Sequence, residues 1–135
     1  MNKQVSITIE SRQQGETVEQ TVKGSVVIKR DTVYIRYMEP EEHQMGETST
    51  TIKFAFDELR VIRHGEVEAE QVFRMNETMQ GFYRVGPMKL PMATKLLAVN
   101  NRLEQGVGEL AWSYMLILDE ESAHPVDVRL RIQED

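Results

Sequence analysis

A chain of 135 residues with net charge −6, 40% hydrophobic residues and no cysteine reads as one domain, because domains typically run to about 100–200 residues. Val, Ile, Leu and Phe account for 35 of the 135 residues, enough to bury a single core and to exclude intrinsic disorder. The missing cysteines exclude disulfides, thiolate nucleophiles and thiolate metal sites, and no apolar run approaches the roughly 18 residues of a transmembrane helix.

The opening stretch MNKQVSITIE alternates apolar with polar residues and lacks the apolar block of a signal peptide, so a soluble, cytoplasmic protein is expected. Val5, Ile7 and Ile9 share one face of a first strand. After a turn at Gln14-Gly15-Glu16, an extended segment runs from Thr17 towards Arg30, with Gly24 at a position where a strand bulges or bends. Val33, Ile35 and Tyr37 alternate with Tyr34, Arg36 and Met38. The next segment, Glu39 to Thr48, has four glutamates and no base, and with Pro40 and Gly46 it reads as a solvated loop.

Thr50, Ile52, Phe54 and Phe56 line one face of a further strand, and Asp57-Glu58 marks a turn before Leu59–Arg63. His64-Gly65-Glu66 is a stronger turn, followed by a short strand around Glu70–Phe73, the polar segment MNETMQG and the strand Phe82–Val85. Gly86-Pro87 turns the chain again. Residues 91–103, PMATKLLAVNNRL, are ambiguous: Met92, Leu96, Val99 and Leu103 fit helical spacing, whereas Leu90, Met92, Thr94 and Leu96 fit a strand. The surrounding pattern favours a strand through about Leu97. Two long stripes end the sequence, Leu110, Trp112, Tyr114, Leu116 and Leu118, then Val126, Val128, Leu130 and Ile132. Eight to ten short strands with regular turn signals predict an all-β, antiparallel sandwich or barrel. Long side chains on both faces of several strands favour a barrel, which also removes exposed edges.

The ordered segments IRYMEP (Ile35 to Pro40), TTIKF (Thr50 to Phe54), RVIRHGEVEAEQVF (Arg60 to Phe73), GFYRVGPMKLPMATKLL (Gly81 to Leu97), GELAWSYMLIL (Gly108 to Leu118) and the final VDVRLRI resemble the YwiB-like family of uncharacterised bacterial proteins. The resemblance spans nearly the whole chain. It implies a calycin-type, lipocalin-like antiparallel barrel of 8–10 strands in which the Met92 segment is strand. It implies no activity, ligand, cofactor or catalytic residue.

The polar residues carry little motif chemistry. No metal-binding or nucleophile motif is present, and GVGEL around Gly106 and Gly108 precedes a strand, so it reads as a turn and not as a phosphate cradle. Glu39, Glu41, Glu42 and His43 lack the turn-setting pattern of a cation loop. His64 and His124 read as exposed loop residues. An acidic chain without a basic run disfavours nucleic acid as a partner.

More informative are polar residues on inward strand faces. Arg60 and Arg63 have opposite parity, so at most one enters a lumen, and an inward Arg63 beside Glu39 would form a charged pair able to meet a polar ligand group or to fix strand order. Thr50, Thr94, Tyr37, Tyr83 and Tyr114 could add hydroxyls to that lumen. The leading expectation is a non-enzymatic barrel binding a small molecule through Tyr37, Glu39, Thr50, Arg63, Tyr83, Thr94 and Tyr114. The alternative is a protein interaction module using the outer sheet face or the acidic loop from Glu41 to Gly46. An enzyme using Glu39 as acid or base ranks third, and pairing of two copies through an exposed sheet face or an uncovered edge leaves a homodimer open.

Overall fold

A computed structural model describes residues 2–135. Ten strands form a closed antiparallel meander: β1 (Asn2–Gln13), β2 (Glu16–Lys29), β3 (Thr32–Met38), β4 (Thr48–Ala55), β5 (Glu58–Gly65), β6 (Val67–Phe73), β7 (Thr78–Val85), β8 (Met88–Glu104), β9 (Val107–Ile117) and β10 (Ala123–Glu134). Each strand pairs with its neighbours in sequence. β1 pairs with β10 from Val5↔Glu134 to Gln13↔Val126 and closes the sheet on itself. The one helical element among the described residues is a 3₁₀ turn at Glu41–His43, so no helix is long and apolar enough to cross a membrane.

The turns follow from local chemistry. Gln14-Gly15 and Gln105-Gly106 are two-residue connections with both φ angles positive, the geometry whose twist matches that of paired strands. Gly24 has a different role from the expected bulge. It keeps regular register with Val5 on one side and Tyr37 on the other. A side chain there would bring its Cβ to 2.5 Å from the Arg36 carbonyl oxygen and 2.8 Å from Ile7 Cδ1, so glycine lets the barrel wall and the Ile7 side chain come close.

The real irregularity lies in β8. Its register against β9 shifts between Leu96 and Ala98, so an extra residue reverses the inward parity. Thr94 and Leu96 are buried before the shift, whereas Leu103 packs against the core after it. That parity change produces the apparently helical spacing of Met92, Leu96, Val99 and Leu103, and the strand runs to Glu104, beyond the Leu97 limit expected from sequence. The polar stretch after Phe73 is also largely strand: Met75 bridges to Leu96 and β7 begins at Thr78.

The core fills one half of the barrel. Val5, Ile7, Val26, Ile35, Ile52, Leu59, Phe73, Leu110 and Leu130 are each at most 2% exposed. Phe73 packs against Trp112 and Tyr114, with ring centroids 6.2 and 4.5 Å away and both pairs tilted, a favourable geometry for aromatic quadrupoles. At this filled end Gly106 comes so close to Val26 that a Cβ would lie 2.5 Å from Val26 Cγ1. In a meander the β1–β2, β3–β4, β5–β6, β7–β8 and β9–β10 connections gather at the opposite end. That end carries the candidate site.

Leu110 is fully buried, whereas Leu97 is 46% exposed. Leu110→Ala is expected to destabilise the protein by about 2–5 kcal/mol, and Leu97→Ala by less than about 0.5 kcal/mol. Denaturant unfolding of the two variants beside the parent checks this, and equal losses would show that the filled half is misassigned.

Candidate functional site

Above the packed half, the lumen holds a cavity of about 530 Å³, within the range of small-molecule pockets. Its apolar wall includes Ile52, Val61, Phe73, Leu116, Val126 and Leu130, and its polar groups include Tyr37, Glu39, His43, Arg63, Gln71 and Tyr114. Ser11, Gln13 and Glu16 of the β1–β2 hairpin and Glu42 and Met45 of the β3–β4 loop border the mouth.

Strand register explains how these residues meet. Tyr37 lies opposite Thr50, Thr50 opposite Arg63, Arg63 opposite Ala69 and Ala69 opposite Tyr83. Directly opposed residues share a face, so one lateral row across five strands brings Tyr37, Thr50, Arg63 and Tyr83 to the lumen. Ala69 leaves space in the middle of it. Glu39 follows Tyr37 by two residues and keeps its parity, and the Glu39 amide donates to the Thr48 carbonyl at 2.8 Å, fixing the chain as it leaves β3. The Thr48 hydroxyl donates to Met45 O at 2.6 Å and accepts from the Val67 amide at 3.1 Å. The β3–β4 loop is thereby tied to β6.

Glu39 is only 8% exposed, which contrasts with the exposed Glu41 and Glu42 of the same acidic segment. His43 Nδ1 donates to Glu39 Oε1 at 2.7 Å, and the Thr50 hydroxyl donates to Oε2. Arg63 Nε stands 3.7 Å from Oε2, near enough for charge attraction but beyond a hydrogen bond. Arg63 Nε is buried without a hydrogen-bond partner, and so is Trp112 Nε1. An unpaired buried donor costs about 1–3 kcal/mol, and few are tolerated in a native fold.

The tyrosines differ in their engagement. Burial, reinforced by the Glu39 carboxylate, pushes the Tyr37 phenol well above its ordinary range despite Arg63 nearby. Burial also raises Tyr114, against the lowering effects of its hydrogen bond with Gln71 and of the Arg63 charge. Tyr83 lines the cavity wall. Two hydroxyls proposed from sequence are already committed: Thr50 is fully buried with its hydroxyl on Glu39, and Thr94 donates to the Val72 carbonyl at 2.6 Å, tying β8 to β6. Neither forms part of the cavity wall. His43, Gln71, Met92 and Trp112 do line it, and sequence reasoning had not selected them for a lumen site. The inward parity of Gln71 with Ala69 and Phe73, and of Trp112 with Leu110 and Tyr114, was the available signal. Among the described residues no three His, Asp or Glu side chains converge as a metal site.

The β7–β8 hairpin extends the site outward. β8 meets β9 only from Ala93↔Ile117 onward, leaving residues 88–92 paired with β7 alone. Pro91, which has no amide hydrogen to donate, suits such an edge. Tyr83, Val85, Met88, Leu90 and Met92 share the lumen-side face by register, yet Val85, Met88 and Leu90 are 47–63% exposed. An apolar stripe therefore continues from the cavity wall past its mouth.

A phenol whose pKa is raised by folding contributes stability that is fully present below the ordinary tyrosine range and is lost as pH rises through the folded-state values. Alkaline absorbance titration of the four tyrosines should show a fraction ionising late, with a parallel loss of stability. Tyr37→Phe and Tyr114→Phe should each remove part of that late fraction. All four phenols titrating together in the ordinary range would contradict the buried placement.

The comparisons with known proteins agree with this architecture. The chain is 26% identical over 120 residues to the uncharacterised β-barrel protein YwiB of Bacillus subtilis (strain 168), covering 89% of this chain and 83% of that protein. The crystal structure of the B. subtilis ywiB protein superposes with a TM-score of 0.81 at 19% identity, covering 99% of this chain and 93% of that one. Residues 3–132 match the model of a domain of unknown function, DUF1934. The chain is thus a member of the DUF1934 family.

Proposed function

We propose that the protein binds a small, mainly apolar molecule in the open half of its barrel, without transforming it. The observation that carries this reading is the cavity of about 530 Å³ lined by an apolar wall and a few convergent polar groups, the usual make-up of a ligand pocket. The apolar stripe on the β7–β8 hairpin supports it by offering an approach to the mouth. Glu39 makes a poor general base here, because His43 and Thr50 occupy both of its oxygens. A lipocalin-like carrier in the cytoplasm fits these features.

Native mass spectrometry of the protein purified from its own host is expected to show a population heavier than the bare chain by one small molecule. Ala69→Trp, which places a large side chain in the middle of the lumen row, should abolish that population while leaving the β-sheet circular dichroism intact. A bare chain in every preparation, together with a lumen filled by side chains in a crystal structure, would refute the reading.

A second reading uses the exposed Val85, Met88 and Leu90 as a docking surface for a protein partner. Met88→Glu with Leu90→Glu should then eliminate capture of a lysate protein, whereas Ala69→Trp should not. Unchanged capture by the double variant would count against it.

A further inference from the structure

We infer that the ligand carries a carboxylate head, held by Arg63, on an apolar body; this deepens the cavity-binding reading and rests on it. The argument starts from the hydrogen-bonding capacity that the lining leaves unused. Glu39, the cavity's buried acceptor, is engaged by His43 and Thr50. Gln71 donates to Met92 Sδ at 3.6 Å. Among the described residues, the two buried side-chain atoms left without partners, Arg63 Nε and Trp112 Nε1, are both donors. Both atoms lie out of solvent contact, so a ligand that shifts the lining enough to complete them must bring acceptors, whereas one bringing donors would leave the same groups unpaired.

The charge pattern narrows the class further. Among the described residues Arg63 Nε has no hydrogen-bond partner, and Arg63 forms a salt bridge with Glu39 at 3.7 Å. Glu39 is also held by the hydroxyl of Thr50 and the imidazole of His43, so its position does not depend on Arg63 alone. The guanidinium carries a planar fork of donors, a shape that a carboxylate matches with two parallel hydrogen bonds. Glu39, buried beside Arg63, opposes an anion most directly, offset by the donors it takes from His43 and Thr50; Glu16 and Glu42 at the mouth oppose it too, but both are exposed and solvent and salt screen them. The body of the ligand would lie against Val61, Phe73, Leu116 and Val126, within contact of Trp112. A primary amine on the same body would set its charge against Arg63.

The test uses four ligands of one chain length, decanoate, decanamide, decanol and decylamine, titrated into the full chain by calorimetry. Fluorescence of Trp112, the single tryptophan, provides a second readout from inside the cavity. Decanoate should bind at least tenfold more tightly than decanamide or decylamine. Arg63→Met should erase that preference while decanol binding changes less than threefold. Arg63→Lys, which keeps the charge but loses the fork, should reduce the preference and guards against a folding defect in the methionine variant. Equal binding of all four heads, or a preference unaltered in both variants, would overturn the carboxylate inference and leave the cavity reading standing. Binding of none of the four, with unchanged Trp112 emission, would overturn both.

Discussion

The pairing of β1 with β10 is the constraint on which the rest of the molecule depends. Nine residue pairs, from Val5↔Glu134 to Gln13↔Val126, turn a ten-strand meander into a closed wall. Without that seam the sheet would present two long edges, and the stripes Val5-Ile7-Ile9 and Leu130-Ile132 would lose the partners that bury them. With it, every inward side chain faces a neighbour across a lumen of fixed width. What fills that width then depends on the residue at each level along the axis. Towards one end these residues are Leu, Ile, Val and Phe, and they meet as a dry core. Towards the other they include Ser11, Ala69 and Gln71, which are too small or too polar to close the space.

The polar cluster in that space has an uneven energetic balance. Glu39 is desolvated but well supplied with donors from Thr50 and His43, so its burial is largely compensated. Arg63 is less well served: it is close enough to Glu39 for charge attraction, but among the described residues its Nε has no hydrogen-bond partner. A network satisfied on the acceptor side and unsatisfied on the donor side is less stable than an apolar core of the same volume. Such local departures from consistency are expected at functional sites, and this one lies in the wall of the cavity.

Much of the architecture was legible in the sequence because one face of almost every strand is apolar. Alternation at Val33-Ile35-Tyr37 and at Thr50-Ile52-Phe54 gave both the strands and their inward residues, whereas the opposite parity of Arg60 and Arg63 left open which of the two enters the lumen. The same logic misled at β8, where one extra residue reverses parity and imitates a helix. Gly24 was equally opaque, since close approach of a neighbouring strand and a bulge leave the same mark in a sequence. Register across strands is set by tertiary pairing, and so the row from Tyr37 to Tyr83 could not be assembled before the fold was known. His43 was visible only as part of an acidic loop, because nothing local shows that the 3₁₀ turn folds back onto Glu39.

Amide hydrogen exchange along the β1–β10 seam tests the closed barrel most directly. The account predicts that the paired amides from Ser6 to Ser11 and from Val128 to Gln133 exchange as slowly as those of β4 and β5, because all of them open only with global unfolding. Exchange of the seam within seconds, while β4 and β5 stay protected, would mean an open sheet and no enclosed cavity.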